Sequence, residues 1–574
     1  MGEGGQMKRL RNNQSEMTAP DSTLQFTPRH MRRILCIFPK YAWSFATFNY
    51  AFPLMGSVKA FMPPQGILLV AALAPARWEI RFIDENVRPA TEDDLLWADV
   101  VFTTGMHIQR EQIQDVIARA RRAGRSVVLG GPSASSAPEW YPEADIIHCG
   151  EAGDATRRLF ELIDWAPERF PRQIILRTVE RLPMTELPMP AYHLINIRNY
   201  LLCTVQFSSG CPHACDYCDI PALYGHRPRH KNPAQVIREL DFLAAAGTPS
   251  IYFVDDNFIG DPGATRELLE HLVAWQDKWD GQVRLSCEAT LRLAEYPDIL
   301  TQMRDAFFTN VFCGVETPES GALRAIKKTV NLQKPILEAI DTLNGYGIEV
   351  AAGLIMGFDT DTEQTPVAIT DFIRASQAPI HTVNILYALP KTPLYERLQG
   401  AGRIICGDHR DSNIQFLQPY EQVAANWRRV IAEAYEPKAL YHRYATQAEK
   451  TYPHRRRPRN PLLQATPRNL RRAFSILTRL IWHAGLQSDY RAEFWSMFWT
   501  QLRQGRIENI FQIAMVAYHL INYARDCVAG RMHASNYAHR IRPRPSTSKS
   551  RSPLFSKESP TRFRLSTGLK GLGK

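Results

Sequence analysis

Three cysteines lie within eight residues of one another in the segment FSSGCPHACDYCDIP, at Cys211, Cys215 and Cys218. Three thiolates at this C-x3-C-x2-C spacing can converge from one loop and hold three irons of a four-iron four-sulfur cubane. The fourth iron then has no protein ligand and can chelate a small molecule through an amine and a carboxylate. Zinc is the alternative, but a structural zinc site has four ligands, and only His213 and His226 lie nearby to complete one.

The cysteine motif carries an aromatic residue, Tyr217, before its last cysteine and follows a strand that ends at Gly210. In this form it resembles the signature of the radical S-adenosylmethionine (SAM) superfamily, and the resemblance extends over residues 200–395. It implies that three further strand ends bind SAM, the first through its amino group and the others through its methionine and ribose moieties. The polar residues at those ends are Asp255, Asp256 and Asn257 in FVDDN, Glu288 in SCEAT and Glu316 in GVETPE. For each residue taken alone, a role limited to capping a strand end is the alternative.

A second series of small and polar residues follows the predicted strands of the first 175 residues. It comprises Pro64 and Gly66 in PPQG, Thr104, Gly105 and His107 in TTGMH, Gly130 and Gly131 in GGPS, and Gly150 and Glu151 in GEAGD. Small residues at strand ends let a large ligand approach the backbone at the crevice of a doubly wound sheet. The series resembles the cobalamin-binding domain that precedes many radical SAM barrels, with a flavodoxin-like fold that merely has tight turns as the alternative.

The sequence also bears on how cobalt would be ligated. The Asp-x-His-x-x-Gly motif of methionine-synthase-type domains does not occur, because His148 in DIIHCG has the wrong spacing. His107 is a candidate for the ligand below cobalt, with a core or loop histidine as the alternative. The resemblance to the radical SAM class implies cobalt without a protein histidine below it.

Strands and helices alternate over residues 31–175. Runs of β-branched and apolar residues predict strands at 32–38, 79–84, 98–104, 126–131 and 145–148, and helices are predicted at 66–73, at 111–123 and after Gly153. This alternation predicts an α/β fold with a parallel, doubly wound, flavodoxin-like sheet, that is, a Rossmann-like domain. Residues 176–199, which include the proline-rich RLPMTELPMP, are predicted to be a linker.

Six more predicted strands follow between residues 200 and 405, mostly with helices between them. They cover residues 204–209, 250–256, 283–289, 310–316, 349–357 and 381–389. Such a run predicts a partial (β/α)6 barrel, the form expected of a radical SAM domain, with its site at the carboxyl ends of the strands. The cysteine motif and the candidate SAM residues all fall at those ends.

Residues 406–540 are predicted to form a helical C-terminal region. One of its helices has an apolar row at Leu470, Phe474, Leu477 and Ile481 with arginines beside it. Two interpretations stay open: a helical cap packed on the barrel, or an interfacial helix that lies on anionic lipid. The longest uncharged run, residues 509–524, is shorter than the roughly 20 apolar residues of a membrane span, so no transmembrane helix is predicted.

The formal net charge of +11 is concentrated at the two ends of the chain. Residues 541–574 contain nine basic residues and one acidic residue, and residues 1–33 contain six basic and three acidic residues, so residues 34–540 are neutral overall. We therefore expect an enzyme that does not bind nucleic acid, with tails at residues 1–30 and 541–574 that are disordered. The uneven spacing of the ten cysteines and the polar N-terminus favour the cytoplasm over secretion, with peripheral contact at the inner face of a membrane.

Together the two resemblances imply a cobalamin-dependent radical SAM methyltransferase. Its cluster would cleave SAM to a 5'-deoxyadenosyl radical, the radical would abstract hydrogen from an unactivated carbon, and methylcobalamin would supply the methyl group. Stretches such as FNYAFPLM, FIDENVRPAT and YFVDDNFIG resemble bacterial hopanoid methylases, which implies a hopanoid lipid methylated at carbon 2 and an electron donor of the ferredoxin or flavodoxin type. A cobalamin-dependent oxidative ring cyclase acting on a tetrapyrrole and a non-catalytic cobalamin or metal carrier are the alternatives.

Overall fold

The first 177 residues contain a sheet of six parallel strands. A computed structural model describes residues 31–165, 170–405, 411–460 and 466–532; the predictions for residues 1–30 and 541–574 lie outside the described residues. The strands are β1 (Arg33–Phe38), β2 (Glu79–Asp84), β3 (Val100–Thr104), β4 (Ser126–Gly130), β5 (Ile146–Cys149) and β6 (Ile174–Arg177). Their order is β2-β1-β3-β4-β5-β6, so all carboxyl ends lie along one edge and the order reverses between β1 and β3. A reversal of this kind opens a crevice in which ligands of doubly wound sheets bind.

Helices cover both faces of this first sheet. They are α2 (Gln65–Leu73), α3 (Glu92–Trp97), α4 (Arg110–Arg122), α5 (Pro132–Ser136) and α6 (Asp154–Trp165). The short helix α1 (Phe52–Met55), between β1 and α2, packs in a separate apolar cluster with Val58. Alternate residues of each strand point to opposite faces, and accordingly Leu35 packs in the apolar core with α3 and α4, whereas Ile34 packs in the core with α2 and α6. The doubly wound prediction is confirmed.

The second sheet belongs to residues 203–385. Its strands are β7 (Cys203–Val205), β10 (Ser250–Phe253), β11 (Arg284–Glu288), β12 (Phe308–Glu316), β13 (Glu349–Met356) and β14 (His381–Ile385), and a separate antiparallel pair is formed by β8 (Ser208–Ser209) and β9 (Arg229–His230). The six strands are parallel and pair in chain order from β7 to β14. The sheet ends at β7 on one side and at β14 on the other, which is the open arc of a partial barrel. The predicted (β/α)6 barrel is confirmed.

Helices connect these strands and cover the outside of the arc. They are α7 (Ile220–Tyr224), α8 (Pro233–Ala245), α9 (Pro262–Lys278), α10 (Pro297–Asp305), α11 (Ser320–Ala325), α12 (Ile336–Gly345), α13 (Thr365–Ser376) and α14 (Pro393–Gly400). Local sequence explains where they begin. For example, the Asp261 carboxylate accepts hydrogen bonds from the backbone N–H groups of Gly263 and Ala264, at 2.9 and 3.2 Å, and so caps α9.

The chain continues as a helical region. Its helices are α15 (Tyr420–Ala434), α16 (Pro437–Lys450), α17 (Pro467–Leu480), α18 (Arg491–Arg503) and α19 (Ile507–Val528), and a π-helical turn at Ile481–Leu486 joins α17 to α18. Helices α15, α16 and α19 contribute buried residues, such as Trp427, Tyr444 and Ile513, to the same apolar core as the barrel. No helix within the described ranges is long and apolar enough to cross a membrane.

Two local features of the fold differ from the sequence analysis. β6 was not predicted, and it spans the boundary placed at residue 175, because its residues alternate between half-buried and exposed and so give a weak strand signal. The first barrel strand was predicted as one run over 204–209, whereas it divides into β7 and β8. The division turns Ser208 and Ser209 out of the sheet and toward the cysteine loop.

Candidate active site

The cysteine loop follows β8 and lies at the carboxyl end of the first barrel strand, as predicted. Gly210 has a φ of +98°, and a Cβ there would stand 3.0 Å from the carbonyl oxygens of Gly225 and Arg227. The backbone N–H of Cys211 donates to the Gly225 carbonyl over 3.2 Å. The loop is therefore closed on itself by a glycine turn, which brings the cysteines together from one short segment.

Cys215 is buried, and Cys211 and Cys218 are half-buried. Burial raises the pKa of all three thiols, while the nearby Lys328 ammonium lowers each of them. Burial also opposes the charge of Lys328 itself, but the Glu316 carboxylate and the thiols outweigh it and raise the pKa of Lys328 to about 12. The loop thus has a permanent positive charge beside it, which suits three thiolates.

The donor set was tested against zinc and against a cubane. In the described part of the chain, no three His, Cys, Asp or Glu side chains converge as the ligands of a single ion do. A cubane binds each thiolate to a different iron and does not require that convergence. The thiol set fits the cubane.

Glu316 ends β12 in a strained conformation. Its φ is +67°, in the left-handed region that side chains other than glycine rarely adopt. A Cβ at Gly314 would clash with the Glu316 carboxylate, so this glycine makes room for it. The carboxylate lies 3.3 Å from Lys328 Nζ and accepts a hydrogen bond from Tyr217, the aromatic residue of the cysteine motif. Glu316 therefore links the fourth strand end to the cysteine loop.

Asp255 and Asp256 follow β10 and hold the backbone that leads into the cysteine loop. The Asp255 carboxylate accepts hydrogen bonds from the N–H groups of Phe207 and Ser208, at 2.8 and 2.9 Å, and from the Ser208 hydroxyl at 2.7 Å. Asp256 accepts from the Gly210 N–H at 2.7 Å. Burial raises the pKa of Asp255 to about 7 and that of Asp256 to about 6.

Asn257 and Glu288 complete the predicted series. Asn257 is buried, and its Oδ1 accepts from the N–H of Thr290 at 3.3 Å, which ties the second strand end to the third. Glu288 keeps solvent-accessible surface, and its carboxylate lies close to the hydroxyl of Tyr252. Burial, and then the charge of Asp256, raises the pKa of Glu288 to about 7. Of the five predicted polar residues, Glu288 offers the most accessible carboxylate to a ligand.

A cavity of about 430 Å³ lies beside the cysteine loop. Its walls include Tyr217 of the motif, Gly357 and Phe358 after β13, and Leu386 after β14. The rings of Tyr217 and Phe358 meet edge to face with centroids 6.4 Å apart. These apolar walls adjoin the loop that the cluster would occupy. The sequence analysis did not find this cavity, because its walls come from loops about 140 and 170 residues beyond the motif.

The first sheet presents small residues at its carboxyl edge. Gly131 has φ +92° and ψ −177°, a conformation that is essentially restricted to glycine, and a Cβ there would clash with Thr104 Oγ1. Gly150 has φ +102°, and a Cβ at Gly105 would stand 2.9 Å from Ile113 Cδ1. Gly130 ends β4, so the turns after β3, β4 and β5 all depend on the absence of a side chain. This edge fits the close approach of a large ligand.

Three buried polar atoms at this edge have no hydrogen-bond partner: Thr103 Oγ1, Ser136 Oγ and His107 Nε2. Unpaired buried polar groups are costly, so each is a place where a bound ligand would restore a hydrogen bond. His107 Nδ1 lies 3.3 Å from the Ser133 hydroxyl, and His107 Nε2 lies 3.6 Å from Oδ2 of Asp219, the residue after Cys218. His107 is thus buried between the first sheet and the cysteine loop.

Glu151, predicted to bind cofactor, forms hydrogen bonds and ion pairs between the two sheets. Its carboxylate accepts hydrogen bonds from the Ser209 hydroxyl at 2.9 Å and from the Arg229 guanidinium at 2.7 Å, and Arg181 Nε lies 3.1 Å away. Arg181 also donates to the carbonyl of Tyr224 over 2.8 Å. We call Glu151, Arg181, Ser209 and Arg229 the inter-domain clamp. It joins the turn after β5 to both sides of the cysteine loop, so the two strand edges face each other.

Pro64 and Gly66 lie at the start of α2, between the first sheet and the barrel. Pro64 is half-buried, and Gly66 is exposed with no atom within 4 Å of a Cβ built on it. The intervening Gln65 donates to the Tyr192 hydroxyl at 2.7 Å and lies 3.1 Å from Thr204 Oγ1 on β7. The segment thus holds α2 against the first barrel strand.

The sequence analysis missed the residues that act through distant partners. Arg181, Arg229 and Lys328 each lack a motif of their own, and each is defined by a carboxylate from another part of the chain. Asp219 lies within the cysteine motif, but its partner His107 comes from the first domain. The one usable signal is the basic run HRPRHK at residues 226–231, directly after the cysteine motif. It supplies Arg229 to the clamp and the buried Lys231, whose ammonium lies 2.5 Å from the Glu239 carboxylate.

Three known families match successive parts of the chain. Residues 53–160 match the B12-binding domain, residues 205–373 match the radical SAM superfamily, and residues 392–533 match a domain of unknown function. In fold, the chain is similar to the cobalamin-dependent S-adenosylmethionine radical enzyme OxsB, with a TM-score of 0.54 at 15% identity over 87% of this chain and 80% of that one.

Two relatives extend the comparison to nearly the whole chain. The hopanoid C-2 methylase of Rhodopseudomonas palustris (strain TIE-1) is 48% identical over 512 residues, which cover 89% of this chain and 97% of that protein. An uncharacterized methyltransferase of Synechocystis is 33% identical over 81% of this chain and 86% of its own length. The radical SAM and cobalamin-binding predictions are confirmed, and the chain belongs to the hopanoid C-2 methylase family of cobalamin-dependent radical SAM methyltransferases.

Proposed function

We propose that this methyltransferase acts on a hopanoid lipid and methylates it at carbon 2. The observation that carries the proposal is the 48% identity to a hopanoid C-2 methylase over 97% of that relative's length. The second relative, at 33% identity, is a methyltransferase without a named substrate and does not favour another compound. Neither relative supports the alternatives of a tetrapyrrole cyclase or a non-catalytic carrier.

In this proposal Cys211, Cys215 and Cys218 hold a four-iron four-sulfur cluster, and Lys328 balances the charge of their thiolates. When bound, the cluster with SAM supplies a hydrogen-abstracting radical, and cobalamin supplies the methyl group. No side chain has to act as a nucleophile. The protein's own task is to position three groups and to keep water away from them.

We propose that SAM binds between the cysteine loop and the strand ends of the barrel. Glu288 provides an accessible carboxylate for the positively charged part of SAM, and the backbone held by Asp255, Asp256 and Asn257 shapes that end of the site. Glu316 with Lys328 forms the polar side. The cavity walled by Tyr217 and the residues after β13 and β14 has the size that an adenosyl group needs, with apolar side chains on one side and charged side chains such as Asp359 and Arg397 on the other.

We propose that cobalamin binds along the carboxyl edge of the first sheet. The turns at Gly105, Gly130, Gly131 and Gly150 let the corrin and its nucleotide tail approach the backbone, and the unpaired Thr103 hydroxyl is available to hydrogen-bond them. His107 lies between this edge and Asp219, next to the last cluster cysteine. Pro64 and Gly66 border the same crevice from α2. A cytoplasmic location with an electron donor of the ferredoxin or flavodoxin type completes the proposal.

The experiment is deletion of the gene in a hopanoid-producing host, followed by lipid analysis. We expect 2-methylated hopanoids to disappear, to return with the wild-type gene, and to stay absent with the Cys215→Ala gene. Methylated hopanoids that persist unchanged in the deletion strain would contradict the substrate assignment but not the family. The purified enzyme should form S-adenosylhomocysteine and 5'-deoxyadenosine together, whereas deoxyadenosine alone would contradict methylation.

A further inference from the structure

The C-terminal helical region has an exposed apolar surface that nothing in the described chain covers. We call it the docking face, and it consists of Leu470 and Phe474 on α17, Trp482 and Leu486 on the π-helical turn, and Trp499 and Leu502 on α18. These side chains are between 39% and 69% exposed. Six of the 19 exposed large apolar residues in the described part of the chain therefore fall within 33 consecutive residues, whereas the others are scattered.

Helix α17 shows why this exposure needs an explanation. A surface helix of a globular protein normally turns its apolar row toward the core. The row of α17 does so only at its end, where Leu477 and Ile481 pack partly against the core, while Leu470 is 56% and Phe474 69% exposed. The prediction of a helical cap holds for α15, α16 and α19, and it does not account for the outer part of α17.

The docking face is continuous across three elements because of Trp495. Its indole N–H donates to the Gly485 carbonyl over 3.0 Å, which fixes the π-helical turn against α18. A Cβ at Gly485 would stand 2.9 Å from the ring of Phe494 on α18. The turn therefore lies as close to α18 as a glycine permits. Trp495 also stacks on Trp499 with ring centroids 5.9 Å apart. The exposed aromatic residues are therefore held in place by packing.

The charges in the segment that forms the docking face are mainly positive. Helix α17 contains four arginines and no acidic residue, and residues 467–503 contain six arginines against two acidic residues. Of those two, Asp489 lies 2.9 Å from Arg525 of α19. Large apolar and aromatic side chains flanked by arginine are the composition of segments that lie in the interface of an anionic bilayer.

We infer that the docking face binds the surface of an anionic lipid bilayer, with Leu470, Phe474 and Trp482 inserted among the lipids. The inference rests on the proposed function, because a hopanoid substrate resides in such a membrane. The docking face is also in contact with the segment that leads to the proposed cofactor sites. The Arg479 guanidinium donates to the Pro53 carbonyl over 3.1 Å, and α1, which contains Pro53, belongs to the segment between β1 and α2.

That segment connects the docking face to the cofactor edges. Its start follows β1 at the point where the strand order of the first sheet reverses. Its middle is fixed to α19, since the Tyr523 hydroxyl donates to the Trp43 carbonyl at 2.8 Å and His519 Nε2 lies 3.1 Å from the Ser44 carbonyl. A lipid that leaves the bilayer at the docking face thus meets an aromatic segment that leads toward the crevice of the first sheet.

The test compares two double variants of the full-length protein by co-sedimentation with vesicles that contain no hopanoid. Phe474→Glu/Trp482→Glu should weaken binding to mixed phosphatidylcholine–phosphatidylglycerol vesicles by about a hundredfold, because two large side chains lose their burial and negative charge replaces them. The control, Leu337→Glu/Val367→Glu, changes exposed apolar residues on the outer barrel helices α12 and α13 and should stay within about twofold of wild type. Vesicles of phosphatidylcholine alone should bind more weakly than the mixed vesicles.

Other occupants of the face give different results, and each overturns the inference. If Phe474→Glu/Trp482→Glu binds vesicles like the wild type and truncation of residues 541–574 removes binding, the basic tail alone is the anchor. If the variant instead turns a dimer into a monomer, as measured by light scattering, the face is an interface between two copies. Lipid analysis in the deletion host tests the substrate separately, so a failure of that assignment leaves the vesicle result intact.

Discussion

The carboxyl edges of the two sheets face each other but are built from opposite kinds of residue. The first edge has glycines, hydroxyls and the ring of His107, and two of its carboxylates reach beyond the sheet: Glu151 accepts from Arg229, and Asp84 at the end of β2 accepts from Tyr200. The second edge has three thiols, five carboxylate or amide residues at the predicted strand ends and a buried lysine. Both edges follow the rule that ligands bind beyond the carboxyl ends of parallel strands.

The difference reflects the two ligands. In the sites proposed above, the large corrin with its nucleotide tail would approach the backbone at the glycine turns of the first edge. The small, positively charged SAM would sit on a metal cluster at the second edge, for which that edge offers charge and thiol ligands. Changes in the second edge, in the first edge, in the contact between them and in the charge of Glu288 should break this comparison in order of decreasing effect.

The largest effect is expected from Cys215→Ala in the second edge. A cubane held by two thiolates loses one of its three protein-bound irons, so the cluster and all SAM cleavage should be lost. Iron and sulfide content and 5'-deoxyadenosine formation measure this. Cys313→Ala, which removes a fully buried thiol from β12 of the same sheet, is the matched control and should keep the cluster. A Cys215→Ala protein that still forms deoxyadenosine would remove this cysteine from the ligand set.

Gly131→Ala in the first edge should have the next largest effect. The added Cβ would clash with Thr104 Oγ1 in a backbone conformation that costs a non-glycine residue about 1–3 kcal/mol. We expect cobalamin to bind roughly ten- to a hundredfold more weakly, with the cluster intact. Absorbance titration with hydroxocobalamin measures the affinity. Gly345→Ala, at an open position of α12, should leave it unchanged.

The sequence predicted most of this fold because its strands are short, buried runs between clear turns. β2 was predicted at the residues where it occurs, and β13 to within one residue. β6 was missed because it has only four residues, alternately half-buried and exposed, whereas the other edge strand, β2, has six residues and ends in two buried ones. The site residues stay a prediction: motifs identified the cysteines and glycines as candidates, since those depend on local spacing.

What the sequence could not provide is the partner of each polar residue. Glu151 was found as part of GEAGD, yet its contacts with Ser209 and Arg229 are made across 58 and 78 residues of chain. Asp255 was expected to bind SAM, and the structure gives its carboxylate three donors from Phe207 and Ser208. Such pairings depend on how the two domains pack, and no local pattern encodes that.

Glu151→Gln tests the contact between the two edges. The substitution keeps the shape of the side chain but removes the charge that faces Arg181 and Arg229, so the distance between the edges should no longer be fixed. We expect methylation per deoxyadenosine formed to fall roughly tenfold, because group transfer depends on alignment to within about 1 Å. Glu79→Gln, which removes an exposed ion pair with Arg81, should leave the ratio unchanged. If methylated product and 5'-deoxyadenosine fell by the same factor, Glu151 would instead have a role in cluster assembly.

The smallest effect concerns the pH dependence of SAM binding through Glu288. Its pKa is raised from 4.5 to about 7, so the carboxylate gains its charge as the pH rises from 6.5 to 8, and the affinity for the SAM cation should increase several-fold over that window. The neighbouring Asp256, with a pKa of about 6, has largely titrated before this window. Asp255, with a pKa of about 7, titrates within it, but its carboxylate is engaged by three donors from Phe207 and Ser208, so we assign the response of SAM binding to Glu288. Glu288→Gln should abolish the increase and hold the affinity near its value at low pH, as measured by calorimetry on the unreduced protein.

The same substitution separates a ligand role from a structural one. Because the folded-state pKa of Glu288 lies above the unfolded value, the group opposes folding progressively as the pH rises through 4.5 to 7 and fully above 7. Glu288→Gln should therefore unfold at a higher temperature than wild type at pH 8, although it binds SAM more weakly there. A capping residue would behave in the opposite way, with stability lost and SAM affinity unchanged. The pair of measurements at pH 8 thus decides whether the third strand end is kept charged for the ligand or for the fold.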